Sequence, residues 1–151
     1  AANNDHPIIF TKKENQSVSK KQLIDWDFRD HLFFVHLNKK QNSRDSIASY
    51  RKVIKPKTIQ IQKINELTIA LCTCNSLTEF KNLIIRHEKI VSNIIQQKPI
   101  KEVLFKNYHG GIKSLGAWGG DFILATGNEE DHQYFKNKGF NTIIPFGKMI
   151  L

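Results

Sequence analysis

Ile112-Lys113-Ser114-Leu115-Gly116-Ala117-Trp118-Gly119-Gly120-Asp121-Phe122-Ile123-Leu124 sets three glycines and an alanine between two apolar segments of strand character. Segments of that kind around a short glycine-rich connection read as two strands, Gly111 to Leu115 and Asp121 to Thr126. Glycine tolerates positive φ and lets another backbone or an anion approach where a side chain would block it. The stretch is therefore either a turn or bulge whose glycines serve backbone geometry alone, or a loop that handles phosphate. Lys113 divides the two readings: it complements phosphate charge in the second and occupies the solvated outer face of a strand in the first.

Working outward, His31-Leu32-Phe33-Phe34-Val35-His36-Leu37 is an aromatic and β-branched run of strand length, followed by polar Asn38 to Ser43, and it predicts a central strand. Ser43 can cap a helix through Arg51, with Ile47, Tyr50 and Ile54 at helical spacing, and Pro56 stands where the first turn of another helix begins. From Lys57 to Cys74, Ile61, Ile64, Leu67 or Thr68, and Leu71 mark one helix face. Ser76-Leu77-Thr78-Glu79 has the form of a capping box, and Phe80, Leu83, Ile84, His87, Ile90, Val91, Ile94 and Ile95 keep helical period up to Pro99. His87 on that stripe reads as a core or boundary histidine. Beyond the glycine-rich stretch, Asn128 can cap a short helix through Lys138, Gly139 ends it, and Asn141 to Phe146 makes a last strand.

The order from residue 31 is strand, helices, strand, strand, helix, strand, which is the split βαββαβ arrangement with extra helix in the first crossover. The predicted class is α+β, a ferredoxin-like four-stranded antiparallel sheet with helices on one face, since each long helix has a single apolar stripe to cover. Ahead of it, Pro7 to Phe10 reads as a short strand and Thr11 to Lys21 as a loop or edge hairpin.

The 151 residues, 40% of them hydrophobic, suffice for one ordinary core. A net charge of +9 suits anionic partners, whether phosphorylated metabolites, nucleotides or nucleic acid. The lysines are spread in pairs (Lys12 and Lys13, Lys20 and Lys21, Lys39 and Lys40) without a dense stripe or an aromatic-basic RNA signature, which disfavours nucleic acid. No run approaches the roughly 20 apolar residues of a membrane span and no secretory leader is recognisable, so a cytoplasmic protein without a membrane partner is expected. Cys72 and Cys74, one residue apart in a helical pattern, point in different directions and are expected to stay reduced, and no metal-ligand spacing accompanies them. The polar segment Ala1 to Asp5 runs into apolar His6 to Phe10 without capping chemistry, which leaves an upstream half open.

Lys113-Ser114-Leu115-Gly116-Ala117-Trp118-Gly119-Gly120-Asp121, between two strands and after a pair of long helices, resembles the C-terminal glycine-rich motif of the GHMP kinases, the superfamily of galactokinase, homoserine kinase, mevalonate kinase and phosphomevalonate kinase. The strand His31 to Leu37, the helices to Gln97, the motif and the closing helix and strand follow the order of that superfamily's C-terminal domain. The motif is most similar to that of phosphomevalonate kinases, and with the tail it also resembles a bacterial branch named for a Gly-Tyr-Asp-Ile-Ala sequence. Trp118 departs from the pattern, in which glycine or another residue is common. The superfamily's Gly-Leu-Gly-Ser-Ser type ATP loop and catalytic aspartate are not found here. The resemblance thus implies that residues 1–30 are the end of an N-terminal kinase domain and 31–151 its C-terminal domain, with the catalytic residue upstream of Ala1.

What the resemblance implies is an ATP- and Mg2+-dependent transfer of phosphoryl to a hydroxyl or phosphate acceptor, with mevalonate or phosphomevalonate foremost. Such transfer is catalysed by positioning and charge neutralisation. Backbone N–H groups of Gly116, Ala117, Gly119 and Gly120 would supply part of this, Ser114 a hydrogen bond and Lys113 a charge. Ser43 and Arg44 would either hold a carboxylate or phosphate at a helix N-terminus or simply cap that helix. The missing N-terminal half of the same protein is a further implied partner, and a homodimer stays open. The rival class is a non-catalytic basic α+β module that binds RNA or a protein partner.

Overall fold

The computed structural model describes residues 7–12, 16–39, 58–116, 118 and 120–149. The expected helix from Ser43 to Arg51, with Arg44, lies outside these residues, as do Ala117 and Gly119. The chain begins with strands β1 (Ile8–Lys12) and β2 (Ser17–Lys21) and continues to the central strand β3 (Leu32–His36). Two long helices follow, α1 (Thr58–Thr73) and α2 (Leu77–Ile95), then the short α3 (Ile100–Leu104). Strands β4 (Ile112–Ser114) and β5 (Phe122–Thr126), helix α4 (His132–Lys136), strand β6 (Ile143–Pro145) and helix α5 (Phe146–Met149) complete it.

The sheet is the expected four-stranded antiparallel one, in the order β4-β5-β3-β6. Phe34 of β3 stands opposite Leu124 on one side and Ile144 on the other, while Ile112 of β4 stands opposite Ala125. This is the ferredoxin-like order of an α+β fold: each crossover skips over a strand that runs the other way. Strands β1 and β2 form a separate two-stranded antiparallel sheet, with Phe10 opposite Ser19.

Strand β3 is a continuous apolar run because both of its faces are covered. Leu32 and Phe34 point to a cluster with Leu67 of α1, Phe80, Leu83 and Ile84 of α2, and Phe28. Phe33 and Val35 point the other way, to Phe105, Tyr108, Ile123, Ala125 and Phe135. Both long helices thus share one face, as their single stripes require. The short helix α4 lies on the opposite face, so helices are not confined to one side. The turn after α3 carries Phe105 and Tyr108 to that second face before β4 begins, a segment too short to show periodicity.

Several boundaries shift for local reasons. Helix α2 stops at Ile95, short of Pro99, because Gln96 takes a left-handed conformation and the next amide turns back to Ser92. Ser76 caps α2 as expected by accepting from the Glu79 amide, but the Glu79 carboxylate accepts from the Asn75 amide, one residue further back than the reciprocal box requires. Asn128 forms a capping box with Asp131 over a 3₁₀ turn that leads into α4, and Gly139 closes the segment at φ +86°. The last strand is shorter than expected because Phe146 enters α5, where its ring stacks on Phe34 at 5.8 Å. On α1, Leu67 is buried while Ile61, expected on the same face, is exposed. Both cysteines are free, with Cys74 just beyond the end of α1. No helix among the described residues is long and apolar enough to cross a membrane.

Truncating Phe33, which touches the second cluster from the centre of the sheet, should cost about 3–5 kcal/mol. Leu23 is 80% exposed, and its truncation to alanine should stay within about 0.5 kcal/mol. Urea denaturation of Phe33→Ala and Leu23→Ala checks both, and similar midpoints for the two would contradict the burial of β3.

Candidate functional site

The buried stripe of α2 runs Phe80, Leu83, Ile84, and one turn beyond Ile84 stands Glu88, 4% exposed. A carboxylate in such a place needs donors to replace water. The glycine-rich segment supplies them. Ser114 donates its hydroxyl to Glu88 Oε2 at 2.8 Å, and Trp118 donates its indole N–H to Oε1 at 3.1 Å. Lys113 Nζ lies 3.9 Å from Oε1 and donates a hydrogen bond to the Ser114 carbonyl at 3.2 Å.

Burial pushes the Glu88 carboxyl above its ordinary range, opposed by the Ser114 hydrogen bond, the Lys113 charge and the Trp118 donor. Burial likewise lowers the Lys113 ammonium, opposed by Glu88. Both partners are driven toward neutrality by desolvation and held against it by each other. His87, next in chain to Glu88, is lowered from 6.5 to about 4, by burial first and by the charge of Lys113 second. Its Nδ1 is buried with no hydrogen-bond partner among the described residues.

Above this base the loop turns on positive φ at Gly116 (+58°), Trp118 (+57°) and Asp121 (+53°). The Leu115 amide donates to the Phe122 carbonyl at 3.3 Å, and the Trp118 amide to the Leu115 carbonyl at 3.4 Å. At the far end the Asp121 amide donates to the Lys39 carbonyl and its own carbonyl accepts from Leu37, at 2.8 and 2.7 Å. The loop is thus tied to the chain leaving β3. Its chain neighbours aside, a Cβ built on Gly116 would meet nothing within 4 Å among the described residues, so this side of its backbone is open to them.

Of the residues singled out in the sequence, Lys113, Ser114, Gly116 and Gly120 come together at the end of the β4–β5 pair. Ala117, Gly119, Ser43 and Arg44 lie outside the described residues. Lys113 is not on a solvated strand face: its side chain is 22% exposed and turned to Glu88. Ser114 is buried with its hydroxyl engaged by the same carboxylate. Glu88 itself was not singled out, although a charge one turn after Ile84 on an apolar stripe is the signal that marks it. Trp118 stood out only as a departure from a motif, while the structure gives it a partner.

A groove of about 390 Å³ opens on another side of Glu88, lined also by Ile85, Lys89, Lys98, Lys101 and Ile112. Lys101 donates to the Gly110 carbonyl there at 2.6 Å, and its ammonium is lowered by burial and by Lys81. None of the described loop residues from 115 to 121 lines this groove. The described residues contain no group of three or more His, Cys, Asp or Glu side chains able to hold a metal.

No protein-family model matches the chain, and no curated protein matches it.

His87 supplies a pH test of this corner. Its folded pKa lies below the ordinary value, so between pH 6.5 and about 4 the unfolded chain holds a proton that the folded chain does not. Stability contributed by neutral His87 is therefore present above that window and lost as pH falls through it. Urea midpoints across the window should fall less steeply for His87→Leu than for the unaltered protein. Equal slopes would show that His87 titrates freely.

Proposed function

We propose that this chain is the C-terminal part of an ATP-dependent small-molecule kinase of the GHMP type, transferring phosphoryl to a hydroxyl or phosphate acceptor, with mevalonate and phosphomevalonate as the first candidates. The observation that carries this reading is the loop from Leu115 to Asp121: Gly116 holds a left-handed conformation with open space beside it, while the polar side chains at its base are turned inward. A loop of that form offers backbone to a ligand. Backbone N–H groups neutralise an anion without the reorganisation that flexible side chains require, which suits a phosphoryl group in transfer.

On this reading Lys113 and Ser114 act at the loop's base, and contact with nucleotide phosphate falls to the backbone around Gly116 and Gly120. Bound ATP supplies the transferable group, and Mg2+ would ride on its phosphates with protein ligands in the upstream half. On this reading the two-stranded sheet of β1 and β2, separate from the main one, would go with the preceding domain, while Trp26 and Phe28 pack on Phe80 of α2 and go with this one. The protein would work in the cytoplasm.

One observation favours the second reading, a non-catalytic basic binding module for RNA or a protein partner. The groove gathers Lys89, Lys98 and Lys101 beside Glu88 and Glu102, and none of the described loop residues lines it. A module of that kind would bind anions without consuming ATP.

The test is ATP-dependent phosphorylation of mevalonate and of phosphomevalonate by the full-length gene product, beside its Gly116→Val variant. Valine strains a left-handed position and projects a side chain into the open space, so turnover should fall 100- to 1000-fold, as when a transition-state donor is lost at about 2.7–4 kcal/mol. The stability cost should be smaller, about 1–2 kcal/mol. Absence of turnover in the unaltered protein, or an upstream coding sequence without a Gly-Leu-Gly-Ser-Ser type loop and aspartate, would refute the kinase reading.

A further inference from the structure

We propose that Glu88 is the positioning residue of the glycine-rich loop: from helix α2 its carboxylate ties the end of β4 at Ser114 and the loop at Trp118 to one point, and so sets where Gly116 is presented.

Three observations lead there. First, the two bonds use different oxygens, Oε2 for Ser114 and Oε1 for Trp118, so one carboxylate brackets Gly116 from both sides. Second, Trp118 has φ +57°, a conformation that a bulky residue rarely adopts. Strain of that kind persists only where the surroundings over-determine it. Its own backbone amide makes a long 3.4 Å contact to Leu115, which leaves the indole–carboxylate bond at 3.1 Å as the firmer restraint. Third, the arrangement is a poor device for stability. The carboxylate and the Lys113 ammonium both lose hydration, and an apolar replacement of a buried ion pair is often neutral or stabilising. A carboxylate kept on a buried stripe at that cost is accounted for by what it holds, the loop.

The structural part of this proposal stands without any activity, and only its kinetic part rests on the kinase reading. The experiment uses the full-length protein and its Glu88→Gln and Trp118→Phe variants. Glutamine keeps the shape, but its single neutral acceptor holds the indole more weakly than a carboxylate does, its amide faces the Ser114 hydroxyl, and Lys113 loses its counter-charge. In the NMR spectrum the indole N–H signals of this chain's Trp26 and Trp118 are assigned by replacing each with phenylalanine. In Glu88→Gln the Trp118 signal should shift and its exchange with solvent should quicken at least tenfold. The Leu115 amide should follow, while the amides of β3 and the Trp26 indole, bonded to the Leu71 carbonyl, keep their rates. Trp118→Phe should loosen the Leu115 amide in the same way, and it carries the test if Glu88→Gln does not fold. An unchanged Trp118 signal, or exchange that quickens equally in β3 and the loop, would overturn the proposal.

If the unaltered protein turns over, Glu88→Gln should lower kcat at least tenfold with the acceptor KM within about threefold. A wild-type kcat in that variant would overturn the positioning role. Absence of turnover in the unaltered protein would instead defeat the kinase reading, and the exchange measurements would still decide the role of Glu88.

Discussion

Strand β3 must be paired on both edges and covered on both faces, and most of the architecture follows from that constraint. Its edges are satisfied by β5 and β6, and its faces by Phe80, Leu83 and Ile84 on one side and Phe105, Tyr108 and Phe135 on the other. The twofold covering explains why the first crossover is long. It lays two helices over one face and then delivers Phe105 and Tyr108 to the other before β4 can start. Gly110 belongs to this passage, since a Cβ there would collide with the Thr126 carbonyl and the Tyr108 ring.

The glycine-rich loop inherits its position from the same frame. Strands β4 and β5 lead into and out of it, the Asp121 backbone ties it to the chain leaving β3, and α2 brings Glu88 beneath it. Loops that carry function commonly sit on rigid elements, because precision must come from parts that do not move. Here the rigid part is a helix whose buried stripe carries one carboxylate, on the residue that reaches the loop.

Legibility in the sequence followed the strength of local patterns. The aromatic and β-branched run around Leu32 to Val35 favours a central strand, and the stripe from Phe80 to Ile84 behind a serine cap favours a packed helix, so the sheet and its two long helices were readable. Helix α3 was not, because five residues are too few to display a period, and with it went the second face of the sheet. The candidate loop was visible through its glycines. The partner that organises it was not, because Glu88 lies far from the loop in the chain and only the fold brings a helix residue against Ser114 and Trp118. Pattern reading reaches neighbours along the chain, whereas side-chain networks of this kind are made of residues brought together across it.

The sheet that separates the two apolar clusters also separates their energetics. Phe80 and Phe135 lie on opposite sides of a hydrogen-bonded layer and, among the described residues, share no ring partner, whereas residues within one cluster pack together. Coupling between sites decays when they have neither contact nor common neighbours. Losses on the two faces therefore sum rather than buffer one another, and a lesion on one side cannot be absorbed by repacking on the other. A volume change within one cluster has to be compensated among its own members, so the molecule carries two cores, each repacked on its own, around one shared set of strands.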